Sequence, residues 1–189
     1  LNTVKLCEKF SNTRVVGFDI AADEAGFPVD NHIKAFEYAH RHNIHCTAHA
    51  GEACGAESVK ETLNEFKPSR IGHGVRSVED PHLMKHLKKH KIHLEICPTS
   101  NTLTKVVSNL EDHPVDRIYQ SGISMSINTD GRTISNVTLR DEYESLHDIF
   151  NWTKSHLLKC NLEAVEHAFI DDEMKSTLRQ KIQDGWVEG

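Results

Sequence analysis

Five short β-rich runs, separated by stretches of helical periodicity, predict an α/β fold with a parallel sheet, laid out as part of a (β/α)8 barrel. Three observations carry that prediction. The runs at residues 15–21, 45–49, 70–73, 92–97 and 123–128 start 30, 25, 22 and 31 residues apart, the spacing of strand–helix–strand crossovers. The runs end on or next to polar, reactive residues, Asp19, His49, Glu52, His73 and Asp130, and in such a barrel functional residues gather at the C-terminal strand ends. No G-x-G-x-x-G turn follows any run, which counts against a doubly wound nucleotide-binding sheet.

The segments between the runs carry helix signals in order. Asp30 is placed to cap a helix whose Ile33, Phe36 and Ala39 share one face, and Val59, Leu63 and Phe66 form a second stripe. Asp80 followed by Pro81 reads as an N-cap and first helical residue ahead of Leu83, Met84 and Leu87. Val115, Ile118 and Tyr119 make another short apolar face. Beyond Asn128 the pattern is helical, over about 139–150, 154–169 and 171–184. No linker or low-complexity tract interrupts the chain, so residues 1–189 read as a single domain. Five strands cannot close an eight-stranded barrel. Length and fold therefore agree if a segment precedes Leu1, which is not a methionine.

Composition narrows the function classes. The net charge of -6 argues against nucleic acid as the main partner, since a phosphate backbone is held by clustered Lys and Arg. The lysine-rich stretch from Lys85 to Lys91 reads as a solvated helix face. Five cysteines, an odd number with no C-x-x-C spacing, argue against a disulfide framework and for a reducing, cytoplasmic setting. No apolar run is long enough to span a bilayer, so no membrane partner is expected.

Four motifs at strand ends carry the chemistry. In His49-Ala50-Gly51-Glu52, a small pair turns the chain so that a metal-ligating imidazole and a proton-shuttling carboxylate can face one space. An H-x-x-E spacing alone is weak evidence in a chain with 14 histidines. In Gly72-His73-Gly74, glycines on both sides would leave room for a ligand. In Cys97-Pro98-Thr99-Ser100-Asn101, Pro98 ends a strand and Ser100 reads as a helix cap; Cys97 lacks the second cysteine of a P-C-x-x-C zinc site. In Ser126-Ile127-Asn128-Thr129-Asp130, an apolar strand ends on a carboxylate. Together, His49 and Asp130 can be two ligands of one metal, with Glu52 and His73 placed for proton transfer. The remaining histidines, among them His40, His42, His45, His86, His90 and His93, are assigned no chemistry.

These strings, with Val16-Gly17-Phe18-Asp19-Ile20-Ala21 and Asp23-Glu24 ahead of them and Asn161 and Ala168-Phe169 behind, resemble the adenosine deaminase family of the metal-dependent amidohydrolases in order and spacing, over nearly the whole chain. The resemblance implies a TIM-type (β/α)8 barrel of which this chain supplies the family's strands four to eight and the C-terminal helices. It implies one Zn2+ held by His49 and Asp130, with two further ligands from an H-x-H pair on the first strand, which this chain does not contain. It implies Glu52 as proton donor to purine N1 and His73 as the group that orients the attacking water. The implied activity is hydrolytic deamination of a small-molecule purine nucleoside, adenosine and 2'-deoxyadenosine, to inosine and its deoxy form in purine salvage, with residues 1–189 alone inactive.

Two departures bear on substrate contacts. Ala22 stands where the family often has a glycine whose backbone N–H meets the purine, and Gly131 stands where a second aspartate commonly contacts it. The alternatives are deamination of free adenine or another 6-aminopurine, or a non-catalytic protein on the same fold. The sequence carries no statement of oligomeric state.

Overall fold

The computed structural model describes residues 1–187. Its centre is a five-stranded, all-parallel sheet in simple sequential order: β1 (Gly17–Phe18), β2 (His45–Ala50), β3 (Arg70–His73), β4 (His93–Ile96) and β5 (Met125–Ile127). Helices α2 (Ile33–Arg41), α3 (Ala56–Phe66), α4 (Pro81–His90) and α6 (Val115–Ser121) form the crossovers, α1 (Asn2–Lys9) precedes β1, and the short α5 (Pro98–Leu103) follows β4. Helices α7 (Arg132–Ser135), α8 (Leu139–Phe150), α9 (Lys154–His167) and α10 (Asp172–Val187) complete the chain. Sequential parallel order is that of a barrel wall, and it leaves β1 and β5 as open edges among the described residues.

The register explains how so short a sheet sorts its side chains. Parallel pairing aligns Ala48, Ile71, Leu94 and Met125 in one row, and Ala50, Ile96 and Ile127 in another. These buried residues face the helices, and all but Ala48 join Val59, Leu83, Leu87, Val115 and Ile118 in the main core. A smaller cluster of Val4, Phe18, Phe36, Ala39, Cys46 and Phe66 fastens α1, α2 and α3 to the β1–β2 end, with Phe36 stacked on Phe66 at 3.9 Å. Alternate positions form a polar face: Thr47, Arg70 and His93 in one row, then His49, Gly72, Glu95 and Ser126 in the next. On it Arg70 Nε lies 3.1 Å from Glu95 Oε1, and Thr47 Oγ1 donates to Glu95 Oε2 at 3.4 Å.

The N-terminal ends of the strands are closed by the C-terminal segment. Phe169 stacks on His45 at 4.7 Å and lies 3.9 Å under the Arg70 guanidinium. Gly17 makes room for the same ring, since a Cβ there would sit 2.9 Å from it. His167 stacks on His93 at 4.6 Å, and Arg70 Nη1 donates to the His167 carbonyl at 3.1 Å. His45 and His93, without assigned chemistry in the sequence, are thus parts of a floor.

Several expected elements are altered. The first run shrinks to two residues, because only Gly17 and Phe18 pair with His45 and Cys46. Asp30 does not cap α2: it sits inside a 3-10 turn, Val29–Asn31, and the helix begins at Ile33 with no side-chain cap bond. Asp80 is the N-cap expected, accepting from His82 and Leu83 N–H groups at 2.7 and 3.4 Å ahead of Pro81. α9 ends at His167, where the chain turns to bring Phe169 under the sheet.

Candidate active site

The four strand-end motifs meet at the C-terminal ends of β2, β3, β4 and β5. The His49 and His73 rings lie edge to face with centroids 5.0 Å apart. His73 Nε2 is 3.4 Å from Glu52 Oε2, and Thr104 Oγ1 donates to Glu52 Oε1 at 3.0 Å. Ser100 Oγ donates to Asp130 Oδ2 at 2.8 Å. Ser100 is therefore not the helix cap expected of it: α5 starts on Cys97 with no side-chain cap bond, and the hydroxyl spends its hydrogen on the carboxylate that ends β5. All four sequence-predicted groups, His49, Glu52, His73 and Asp130, belong to one cluster.

Backbone geometry aims them. By register His73 falls beside Ala50 and would face the helices, but its φ of 61° takes it out of β geometry, and its ring turns to the strand ends. Asp130 has φ 54° and Gly51 φ 71°. Left-handed residues at strand ends are uncommon and collect where side chains must be re-aimed. The flanking glycines serve the protein rather than a ligand. A Cβ on Gly72 would lie 2.8 Å from His49 Nδ1, and one on Gly74 2.6 Å from Leu94 Cδ2. Gly72 thus seats the His49 ring.

Electrostatics differ between the two histidines. The Asp19 carboxylate, 3.8 Å from His49 Nδ1, raises that residue's pKa against the opposing effect of burial, with Asp130 and Glu52 adding to the rise. Burial lowers the pKa of His73, which is 1% exposed, although the Glu52 charge partly opposes it. His49 Nδ1 is buried without a hydrogen-bond partner and faces Asp19, which leaves Nε2 as the nitrogen able to offer a lone pair to a metal. An imidazole and a carboxylate suit zinc. His49 and Asp130 fit as part of a tetrahedral donor set, and Ser100 and Asp19 are the outer partners that such ligands ordinarily have.

Two supporting residues had no role assigned from the sequence: Glu24, which stands in the Asp23-Glu24 string, and Glu142, which stands in none. Glu24 accepts backbone N–H groups from Gly51, Glu52, Ala53 and Cys54 at 2.7, 3.1, 2.7 and 3.1 Å, and the Ser58 hydroxyl as well. Burial pushes its pKa up, yet Ser58 and these amides outweigh that and leave it below the usual value. One carboxylate thereby holds the loop that presents Glu52. Glu142 of α8, fully buried, accepts the Thr99 N–H on both oxygens at 3.2 and 3.3 Å and anchors the start of α5, which carries Ser100 and Asn101. Burial raises its pKa to about 7.

Ala22 and Gly131 are both exposed. Ala22 lines a cavity of ≈ 290 Å³ with Ile20, Glu24, Phe27, Val29 and His49, near the lower limit of about 300 Å³ for ligand clefts. Glu52, His73 and Asp130 do not line it, so it flanks the cluster. Ala22 has φ 109°, a conformation that favours glycine and costs an alanine roughly 1–3 kcal/mol. Ala22→Gly is therefore expected to stabilise the protein by about 1 kcal/mol once the looser unfolded chain is deducted; a urea midpoint that falls in the variant would contradict the strain. Gly131 has φ -68°, and a Cβ there would meet nothing closer than 3.6 Å, so glycine is not required by the backbone.

Among the described residues one further group has metal-ligand spacing, His93, Glu163 and His167, with ligand atoms within 4.8 Å of one another. It lies in the floor, at the opposite end of the strands. Ser124 donates to Glu163 at 2.6 Å and accepts from His93 Nδ1 at 2.8 Å, and Ser126 bonds His93 Nε2 at 2.9 Å. Burial lowers the His93 pKa to about 3. Both ring nitrogens are engaged within the protein, so this is a satisfied structural network.

The chain is similar to known proteins along its length. The family model described as "Adenosine deaminase" matches residues 2–185. A curated adenosine deaminase of Shewanella denitrificans is 37% identical over 165 residues, 87% of this chain and 50% of the relative. The chain spans about half the length of the curated relatives it matches. The solved N6-methyl-AMP deaminase of Arabidopsis thaliana superposes with a TM-score of 0.90 at 28% identity, over 100% of this chain and 55% of that one. A solved adenine deaminase of Arthrobacter aurescens shares the fold, with a TM-score of 0.91 at 23% identity, over 100% of this chain and 58% of that one.

Proposed function

The chain belongs to the adenosine deaminase family, and on that premise we propose that the whole protein is a zinc-dependent hydrolase that removes the 6-amino group from adenosine and 2'-deoxyadenosine. Residues 1–189 then form one domain, the C-terminal part of the barrel, and contribute His49 and Asp130 to the metal. The observation that carries this reading is the convergence of His49, Asp130, Glu52 and His73 at the strand ends, with His73 Nε2 3.4 Å from Glu52 Oε2. A binding module needs no such pairing of proton-transfer groups.

A zinc ion, when bound, lowers the pKa of water to about 7 and so supplies hydroxide at neutral pH. The rest of the chemistry falls to the chain. Glu52 donates a proton to purine N1, which lets the ring take up the electron pair displaced when C6 is attacked. His73, neutral and buried, orients the attacking oxygen. Ser100, through its hydrogen bond, would hold the Asp130 carboxylate for a metal, and the Asp19 charge, 3.8 Å from His49 Nδ1, would leave that ring's Nε2 free to bind it. The flanking cavity, with apolar Ile20, Phe27 and Val29 beside Ala22, receives part of the substrate.

The second reading is a preference for adenine or for a nucleotide such as an N6-substituted AMP, the latter supported by the likeness to the N6-methyl-AMP deaminase of Arabidopsis thaliana; Gly131 withdraws a contact to the purine that all these substrates share and does not separate them. Assays of the purified full-length protein with adenosine, 2'-deoxyadenosine, adenine and N6-methyl-AMP, following the change in purine absorbance, separate the readings. Adenosine and its deoxy form are expected to be consumed, to be spared after chelation, and to be consumed again on adding zinc. A folded, zinc-replete protein that turned over none of the four would leave the non-catalytic reading.

A further inference from the structure

His113 lies before α6, far from any motif, and is 3% exposed. Its Nδ1 accepts the Val115 backbone N–H at 3.0 Å. A backbone amide can only donate, so Nδ1 must carry the lone pair. Burial lowers the His113 pKa to about 4, so at neutral pH the ring is uncharged and its one proton is on Nε2. That atom is 3.2 Å from Asn101 Oδ1. Asn101, fully buried, therefore turns its oxygen to His113 and its Nδ2 to His73, whose Nδ1 is 3.0 Å away. An amide nitrogen again only donates, so His73 Nδ1 is an acceptor. The proton of neutral His73 is on Nε2, the atom 3.4 Å from Glu52.

Amide orientation is ordinarily ambiguous. Here the flipped Asn101 would set its NH2 against the His113 Nε2–H, two donors face to face in a buried site, which costs about 1–3 kcal/mol. The flip would also present an oxygen to His73 Nδ1 and draw the proton there, leaving Nε2 with no hydrogen to turn toward Glu52. The direction of the whole chain is set by the Val115 N–H, which neither titrates nor rotates.

We propose that His113, acting through Asn101, is a positioning residue that fixes His73 in the Nε2-protonated tautomer facing Glu52. The inference rests on the reading of His73 and Glu52 as the proton-transfer pair, but its first test does not require turnover. Long-range proton–nitrogen NMR of the full-length protein labelled with 15N-histidine reports which ring nitrogen of each histidine is protonated, and a His73→Asn variant identifies the His73 signals. His73 is expected with its proton on Nε2 and His113 likewise. A parent protein with the His73 proton on Nδ1 overturns the proposal, whatever the activity.

The second test uses His113→Phe, which fills the volume without a donor, and His113→Gln, whose Oε1 can accept from Val115 and whose amide N–H can donate to Asn101. The phenylalanine variant should show His73 as a mixture of tautomers. Its kcat should fall about 10–100-fold, the typical effect of losing an outer partner of a site histidine, with KM and bound zinc close to the parent. Glutamine should restore the Nε2 form and most of the rate. A phenylalanine variant with an unchanged tautomer, or with unchanged kcat alongside an altered tautomer, overturns the proposal. If neither variant folds, the tautomer of the parent decides.

Discussion

Glu52→Gln in the full-length protein is expected to lower the deamination rate by about 10²–10⁴-fold, the usual cost of losing a general acid, while zinc stays bound. Glutamine fills the same volume. Its amide oxygen can take the position facing His73, 3.4 Å away in the parent, and its amide nitrogen then faces Thr104. That hydroxyl can turn to accept, because the Ser100 carbonyl at 3.0 Å offers its hydrogen another partner. The loop geometry is held from outside by Glu24 through four backbone amides, so the substitution leaves the backbone in place. What disappears is the proton that purine N1 must receive before C6 accepts a nucleophile. Turnover numbers and zinc content measured on the same preparation decide the matter. A variant within a few fold of the parent would remove Glu52 from the acid role, and one that lost its zinc would make Glu52 part of the metal site.

His49→Ala and Asp130→Ala are each expected to cut bound zinc from about one per chain to a small fraction, whereas His73→Ala keeps the metal and loses rate. The division follows from the contacts. His49 Nδ1 faces Asp19, and Asp130 takes one hydrogen bond from Ser100 on Oδ2; each retains an atom with a free lone pair. His73 Nδ1 is taken by Asn101, and Nε2 faces the Glu52 carboxyl group, so neither is placed to give a lone pair to a metal. Removing a direct ligand from a site with few of them abolishes tight binding, and removing an outer partner only tunes it. Metal analysis of the three purified variants reads this directly. Full occupancy in Asp130→Ala would strike it from the ligand set, and loss in His73→Ala would add His73 to it.

Much of the site was legible from strand-end strings. A short apolar run that stops on or just before His, Asp or Glu places that side chain at one rim, and three such runs in parallel, one of them supplying both His49 and Glu52, place all four at the same rim, because parallel strands all end on one side of the sheet. That argument recovers His49, Glu52, His73 and Asp130 with no coordinates. Ser100 reads as a cap from residue type alone, since serine favours helix starts; with Pro98 as the first helical residue the cap position falls on Cys97 instead. The partner that claims the Ser100 hydroxyl, Asp130, is thirty residues away, and no local rule points to it.

The sequence by itself determined the alternation of strand and helix, the parallel sheet, the family and which four polar residues would gather at one rim, because each is written in local periodicity or in contiguous strings. Tertiary structure alone decided how those residues are aimed and held. The left-handed φ of His73 and Asp130, the Gly72 seat for the His49 ring, the Glu24 nest and the His113–Asn101–His73 series all join residues distant in the chain. So does the floor, where Arg70 meets a carbonyl 97 residues later. Hydrogen bonds are directional and short, so which donor meets which acceptor depends on where folding brings the chain. Hydrophobic periodicity fixes which face is buried, and leaves open which buried polar atom will answer another.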